Sequence, residues 1–190
     1  MALMLFLRDL FSAPENTLAE VEIRPGFHVL DYGCGSGSFT LAALKRVGPE
    51  GKVYALDLHP LALQRVRRAA EKRGFNNIET IQSDCITRLP GDTVDVVLFY
   101  YILHWLTDPD CVLRELHRVL KPGGVLSFRD PYMEEEEILA AVTGRGWFRL
   151  AAKGEKTYRL IKMNQDQGDQ PASQRRIIYD FITKEKERTI

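Results

Sequence analysis

The chain has 190 residues, 45% of them hydrophobic and 27% charged, with 26 basic and 26 acidic residues and hence a formal net charge of zero. That length builds a full core in one domain without disulfide or metal staples. The zero charge excludes a nucleic-acid binder working through a general basic field.

Residues 1–24 read as one or two helices packed on the domain that follows. From about residue 27, short apolar runs alternate with amphipathic stretches. FHVLDYG is a buried strand closed by glycine, and SFTLAALKRVG is a helix with Phe39, Leu41, Ala42, Leu44 and Val47 at helical spacing and Gly48 as its stop. KVYALDL is a second strand, Pro60 opens the basic-faced helix LALQRVRRAAEKRG, and NIETIQSD is a third strand. TVDVVLFYYIL, rich in β-branched and aromatic residues, is the most apolar strand. DPDCVLRELHRVL is a helix capped by Asp108 and terminated by Lys121-Pro122-Gly123-Gly124, and GVLSFRD is a fifth strand. MEEEEILAAVTGRG is a further helix whose four glutamates complement the dipole of its first turn. GWFRLAAKG and KTYRLIKM form a hairpin, and NQDQGDQPAS is a polar linker before a tail. Strands alternating with helices imply an α/β fold, a parallel sheet covered on both faces, here over residues 25–163, with residues 164–190 as linker and tail.

Three cysteines, Cys34, Cys85 and Cys111, are odd in number and far apart in sequence. Neither a disulfide framework nor a CxxC zinc site is expected, and a reducing, cytoplasmic setting is the natural reading. MALMLFLRDLF has no basic leader or small-residue cleavage site, so no signal peptide is expected, and no apolar run is long enough for a membrane span. His28, His59 and His117 are scattered, so no metal site is expected.

The chemistry concentrates in Asp31-Tyr32-Gly33-Cys34-Gly35-Ser36-Gly37, which joins the first strand to the first long helix. Alternate glycines let a backbone turn sharply and approach a ligand closely. The dinucleotide spacing G-x-G-x-x-G fails, because Ser38 or Thr40 stands where its last glycine belongs. Asp31 is poorly placed beside a pyrophosphate and suits a ligand that carries an ammonium group. Asp57 ends the second strand 20 residues past Gly37, where an acid can accept both ribose hydroxyls. Ser83-Asp84-Cys85-Ile86 follows the third strand, where a carboxylate can accept from an adenine amino group and Ile86 can wall the ring.

In this order, DYGCGSG, ALD, QSDCI, and DVVLFYYILHWLTDPDCVLRELHRVLKPGGVLSF resemble the class I S-adenosylmethionine-dependent methyltransferases. The LH-x-x-x-D and RVLKPGG phrases resemble the ubiquinone/menaquinone-biosynthesis methyltransferase-like subgroup. The resemblance implies a Rossmann-like doubly wound sheet of seven strands, order 3-2-1-4-5-7-6 with strand 7 antiparallel. It implies S-adenosylmethionine as methyl donor and S-adenosylhomocysteine as product. Gly33, Gly35 and Gly37 would contact the methionine part with Asp31 near its amino group, Asp57 would hold the ribose, and Asp84, Cys85 and Ile86 the adenine; Cys34 and Leu58 are further cofactor-binding candidates. Phe99 would lie beside the cofactor. Tyr100 and His104 are the candidate catalytic residues, and Tyr100, His104, Asp130 and Tyr132 would line the acceptor pocket. Alternation sends Tyr100 and Tyr101 to opposite sides, so only one should line the pocket, and the motif position that the resemblance implies selects Tyr100.

The expected function is methyl transfer to a small-molecule, partly apolar acceptor, with no nucleic-acid partner. A cofactor-binding partner module without catalysis is the alternative, and Asp31 and the missing glycine disfavour a nicotinamide-dependent reductase. Asp130-Pro131-Tyr132 is similar to the Asp-Pro-Pro-Tyr motif of nucleic-acid amine methyltransferases, but it ends the fifth strand rather than the fourth and lacks a proline.

Overall fold

The computed structural model describes residues 14–164. The first thirteen residues, the linker beyond Asn164 and the tail, RRIIYDFITKEKERTI, for which a short helix was expected, therefore lie outside the described residues. The strands are β1 (His28–Tyr32), β2 (Lys52–Asp57), β3 (Ile78–Gln82), β4 (Val94–Tyr100), β5 (Leu120–Arg129), β6 (Phe148–Lys153) and β7 (Tyr158–Lys162). They form one sheet in the order β3-β2-β1-β4-β5-β7-β6, with β1 to β5 mutually parallel and β7 antiparallel to both its neighbours. This is the expected topology. The chain order reverses between β1 and β4, and in such sheets a crevice opens there beyond the carboxyl ends of the strands.

The helices are α1 (Pro14–Leu18), α2 (Ser38–Val47), α3 (Pro60–Glu71), α4 (Pro109–Val119) and α5 (Glu135–Thr143), with a 3-10 turn at Leu103–Trp105. The central strands are buried on both faces, so their apolar residues come in unbroken runs, Val53 to Leu56 and Val96 to Tyr100, rather than alternating. One face of the sheet, with Leu30, Leu56, Val97, Phe99 and Phe128, packs with Leu113 and Leu116 of α4 and Ile138 of α5. The other, with Val29, Val53, Val96 and Leu98, packs with Leu18, Leu44 and Val47. The N-terminal segment is pinned further by Glu20, whose carboxylate accepts from the backbone N–H groups of Lys156 and Thr157 and from the Thr157 hydroxyl.

Two expectations are corrected. Lys121-Pro122-Gly123-Gly124 does not separate helix from strand, because β5 already begins at Leu120. The segment is an irregular strand entry: the register with β4 shifts between Val94 and Val96, and a side chain on Gly124 would meet the carbonyl oxygens of Lys121 and Asp95. Lys121 anchors it with a 2.7 Å ion pair to Asp95. The second correction concerns the cysteines. Cys85 and Cys111 are bridged, with their Cα atoms 6.5 Å apart. Their separation of 26 residues concealed a crossover that returns α4 beside the loop after β3, and the cysteine argument for a reducing compartment falls with it. Among the described residues no helix is long and apolar enough to cross a membrane.

Candidate active site at the carboxyl edge of the sheet

The glycine loop is held by the strand next to it. The N–H groups of Gly33 and Cys34 both donate to the Leu56 carbonyl, at 2.8 and 2.9 Å, and the Gly37 N–H donates to the Cys34 carbonyl. Each glycine answers a different need. A side chain on Gly33 would collide with Ile102, which follows β4, and one on Gly37 would collide with Val66 of α3. Gly35 has φ +51°, yet its missing side chain would meet only the Gly33 carbonyl, at 3.8 Å. So two glycines close the loop against the protein, and Gly35 leaves backbone exposed to space beyond it. Cys34 is buried against Ala55, Leu63 and Val66, and burial pushes its thiol pKa up, which makes it an inert filler.

The three acids take different stations. Asp31 is buried at the end of β1 and accepts from the Thr40 hydroxyl of α2 at 2.5 Å. Asp57 accepts from the Gly35 N–H at 2.9 Å through one oxygen and from the His59 N–H at 2.8 Å through the other. Asp84 is exposed, while its carbonyl accepts from the Tyr32 hydroxyl at 2.7 Å. Leu58 and Ile86 are exposed on the loops after β2 and β3. Two fastenings join the latter loop to α4: the Cys85–Cys111 bridge, and Glu115, which accepts from the N–H and hydroxyl of Thr87. Burial works against ionisation of Glu115, but the Arg118 guanidinium and Thr87 outweigh it and hold its pKa below the usual carboxylate value.

At the tips of β4 and β5 the structure rearranges the expected roles. Phe99 is fully buried between Tyr32 and Phe128, at ring distances of 5.5 and 5.7 Å, so its side chain belongs to the core rather than beside a cofactor. Tyr100 is also core. Its ring packs on Phe39 and its hydroxyl is hydrogen-bonded to Ser127 at 2.6 Å, while burial raises its pKa. It therefore lines no pocket and is withdrawn as a catalytic candidate. Tyr101, at φ +62°, is the residue that turns toward Tyr132, with ring centroids 6.5 Å apart. The strand ends at Tyr100, so the alternation that set the two tyrosines on opposite sides does not carry on to Tyr101, and the motif position that selected Tyr100 falls on a core residue.

His104 and Asp130 do come together. Nδ1 of His104 lies 2.7 Å from Oδ2 of Asp130, a carboxylate with no exposed surface. The His104 ring is flanked by Trp105 and Tyr132, at 5.1 and 4.9 Å. Leu58, Leu61, Ile86, Trp105 and Tyr132, the exposed large apolar side chains of the described residues, all follow β2, β3, β4 or β5. Parallel strands deliver all of them to one edge of the sheet, the edge that carries the glycine loop. Sequence reasoning missed Ile102 over Gly33, Thr40 on Asp31, and the ties of Cys111 and Glu115. A threonine in the first turn of the helix after the glycine loop is a signal that could have flagged the second.

The family described as a methyltransferase domain matches residues 23–176. Demethylmenaquinone methyltransferase of Geobacillus stearothermophilus is 33% identical over 112 residues, 58% of this chain and 48% of that protein. The ubiquinone/menaquinone biosynthesis C-methyltransferase UbiE of Hahella chejuensis is 37% identical over 120 residues, 60% of this chain and 48% of that protein. The chain thus spans about half the length of these curated relatives. A SAM dependent methyltransferase from Aquifex aeolicus superposes with a TM-score of 0.69 at 28% identity, covering 79% of this chain and 88% of that one. With a seven-stranded sheet in the same order as its motifs implied and a match over most of its length, the chain belongs to the methyltransferase-domain family.

Proposed function

We propose that this protein is a class I S-adenosylmethionine-dependent methyltransferase acting on a small, partly apolar ring acceptor of the quinone type for which its relatives are named. The observation that carries the reading is the junction of Gly35 and Asp57. Backbone open on its outer side sits directly beside a carboxylate at the tip of the next strand. That is a cradle a side chain would fill, and the donors and acceptors around it fit a nucleoside that bears an amino acid. The loop from Gly33 to Gly37 and the first turn of α2 would hold the methionine part, with Asp31 facing its ammonium group. Asp57 would take the ribose hydroxyls on the lone pairs that Gly35 and His59 leave free. Asp84 would accept from the adenine amino group, and Leu58 and Ile86 would cover its faces.

The cofactor supplies an activated methyl group on a sulfonium leaving group. The protein then has to place an acceptor in line at about 3–3.5 Å and exclude water. Trp105 and Tyr132 give that edge flat apolar walls suited to a ring. The zero net charge supports a small acceptor over a nucleic acid. Two measurements test the reading. Calorimetry should give micromolar-range binding of S-adenosylhomocysteine and none of NADH. Labelled methyl from S-adenosylmethionine should appear on a short-chain 1,4-naphthoquinol kept reduced. S-adenosylhomocysteine binding without transfer to any ring acceptor would favour the partner-module alternative.

A further inference from the structure

We propose that His104 and Asp130 form a base dyad, in which Asp130 fixes the imidazole tautomer and His104 takes the proton that the acceptor loses during methyl transfer. The inference rests on the reading above and goes beyond it in assigning the proton. A carboxylate can only accept, so a 2.7 Å contact to Oδ2 requires that Nδ1 carry the hydrogen. The lone pair is then on Nε2, and among the described residues Nε2 makes no hydrogen bond and is not a buried orphan. The imidazole is partly exposed while the carboxylate behind it is sealed.

Asp130 is itself well set. Oδ2 also takes the His104 backbone N–H at 3.3 Å, and Oδ1 the Tyr132 N–H at 3.4 Å. The backbone of the β4 tip is tied to β5 by the Tyr101 N–H on the Arg129 carbonyl, 2.8 Å. The same tip carries Ile102 against Gly33. The dyad is thus mounted two residues from the contact that shapes the glycine loop, and its imidazole lies beside the two exposed rings, Trp105 and Tyr132, at 5.1 and 4.9 Å between centroids. A buried charge partner, a fixed tautomer and an accessible second nitrogen are the parts of a general base.

The step balances without a further reactant. The acceptor's nucleophilic atom forms a bond to the methyl carbon, and the carbon–sulfur bond breaks with its electron pair going to sulfur. The acceptor's proton passes to Nε2 of His104, and Asp130 stabilises the imidazolium until water removes the proton. An acceptor that needs this help carries a weakly acidic proton, as a ring hydroxyl does.

The experiment compares wild type with His104→Ala, His104→Gln and Asp130→Asn, using the reduced short-chain naphthoquinol as acceptor. The expected result is a fall in kcat of about 10²-fold or more for both His104 variants and about tenfold or more for Asp130→Asn. S-adenosylhomocysteine affinity should stay within about twofold, and the deficit should shrink as pH rises and the acceptor ionises unaided. Nitrogen NMR of labelled histidine gives a readout free of turnover: His104 should be the Nδ1-protonated tautomer in wild type and lose that preference in Asp130→Asn. Unchanged kcat in the His104 variants, or an Nε2-protonated His104 in wild type, overturns the dyad. Failure of wild type to bind S-adenosylhomocysteine sinks the underlying function instead. Binding without transfer to the naphthoquinol removes that acceptor, and the tautomer measurement then decides the dyad alone.

Discussion

Asp57 reaches across to the glycine loop: one carboxylate oxygen holds the Gly35 N–H at 2.9 Å while the other holds the His59 N–H at 2.8 Å. The residue assigned to the ribose is therefore also the brace of the loop that would cradle the methionine. Removing it should do two things. Hydrogen bonds to a charged group contribute roughly 1.5–3 kcal/mol, so Asp57→Ala should weaken S-adenosylhomocysteine binding about tenfold or more and also lower the unfolding free energy by about 1–2 kcal/mol. Calorimetry with a parallel denaturant titration separates the two. Unchanged affinity in a folded Asp57→Ala protein would return Asp57 to a purely structural role.

The glycines of the loop should fail in different ways. Gly35→Val meets open space and faces only the strain of a positive φ, about 1–2 kcal/mol, so it should fold and lose the ligand. Gly33→Val and Gly37→Val meet Ile102 and Val66 as well, and overpacking adds roughly 1–3 kcal/mol. Thermal unfolding should rank Gly35→Val above the other two, while affinity for S-adenosylhomocysteine falls in all three. Wild-type affinity in Gly35→Val would make the loop a turn and nothing more.

The bridge between Cys85 and Cys111 fastens the loop that carries Asp84 and Ile86 to the start of α4. Closing a loop of that size contributes about 3–4 kcal/mol in the chain-entropy picture. The double variant Cys85→Ser, Cys111→Ser should be less stable than the oxidised protein by about 2–4 kcal/mol. It should remain folded, because Glu115 still grips Thr87 through two hydrogen bonds, and bind S-adenosylhomocysteine several-fold more weakly, because one of the two fastenings of the loop is gone. A thiol assay on the unreduced, denatured protein gives the control, with one free thiol expected, from Cys34. Finding three removes the bridge and this prediction together.

What could be read from the residues was whatever depends on period and order. The alternation of strand and helix, the glycine loop after β1 and the acids at the tips of β1, β2 and β3 are local features, and the sheet order was implied by the family resemblance that those features carry. Phe99 and Tyr100 were placed by motif position, but β4 is covered on both faces, so residues at either phase are buried and neither motif position nor alternation tells core from pocket there. Tyr101 escaped for a related reason: a positive φ just past the strand redirects the chain, and nothing in its side chain announces that. His104 and Asp130 were placed at adjacent tips by topology alone, whereas their hydrogen bond depends on the 3-10 turn at Leu103–Trp105. Cys85–Cys111 and Glu115–Thr87 depend on how α4 lies over the loop after β3, a tertiary relation with no local trace.

His117 makes stability depend on pH near neutrality. It is buried on α4, its Nε2 lies 2.8 Å from the Met163 carbonyl just past β7, and its ring meets Phe148 of β6 edge-on at 5.7 Å. Burial lowers its pKa, the Met163 carbonyl and Asp92 oppose that, and Lys162 reinforces it, leaving the net value below the ordinary histidine value. A neutral ring in that position donates from Nε2 to the carbonyl, so charging it gains no new partner and costs desolvation. The unfolded chain then binds the proton more readily than the folded one, so stability rises with pH across the window. The contribution is fully present above the unfolded value and is lost as pH falls from the mid-sixes through the folded pKa, with a slope of at most about 1.4 kcal/mol per pH unit. Urea titrations between pH 7.5 and 5.5 should show wild type losing stability, and His117→Gln, which can still offer an N–H to Met163 but does not titrate, should be flatter over the same interval. Identical slopes would mean that the His117 imidazole takes up its proton in the fold as readily as in the open chain.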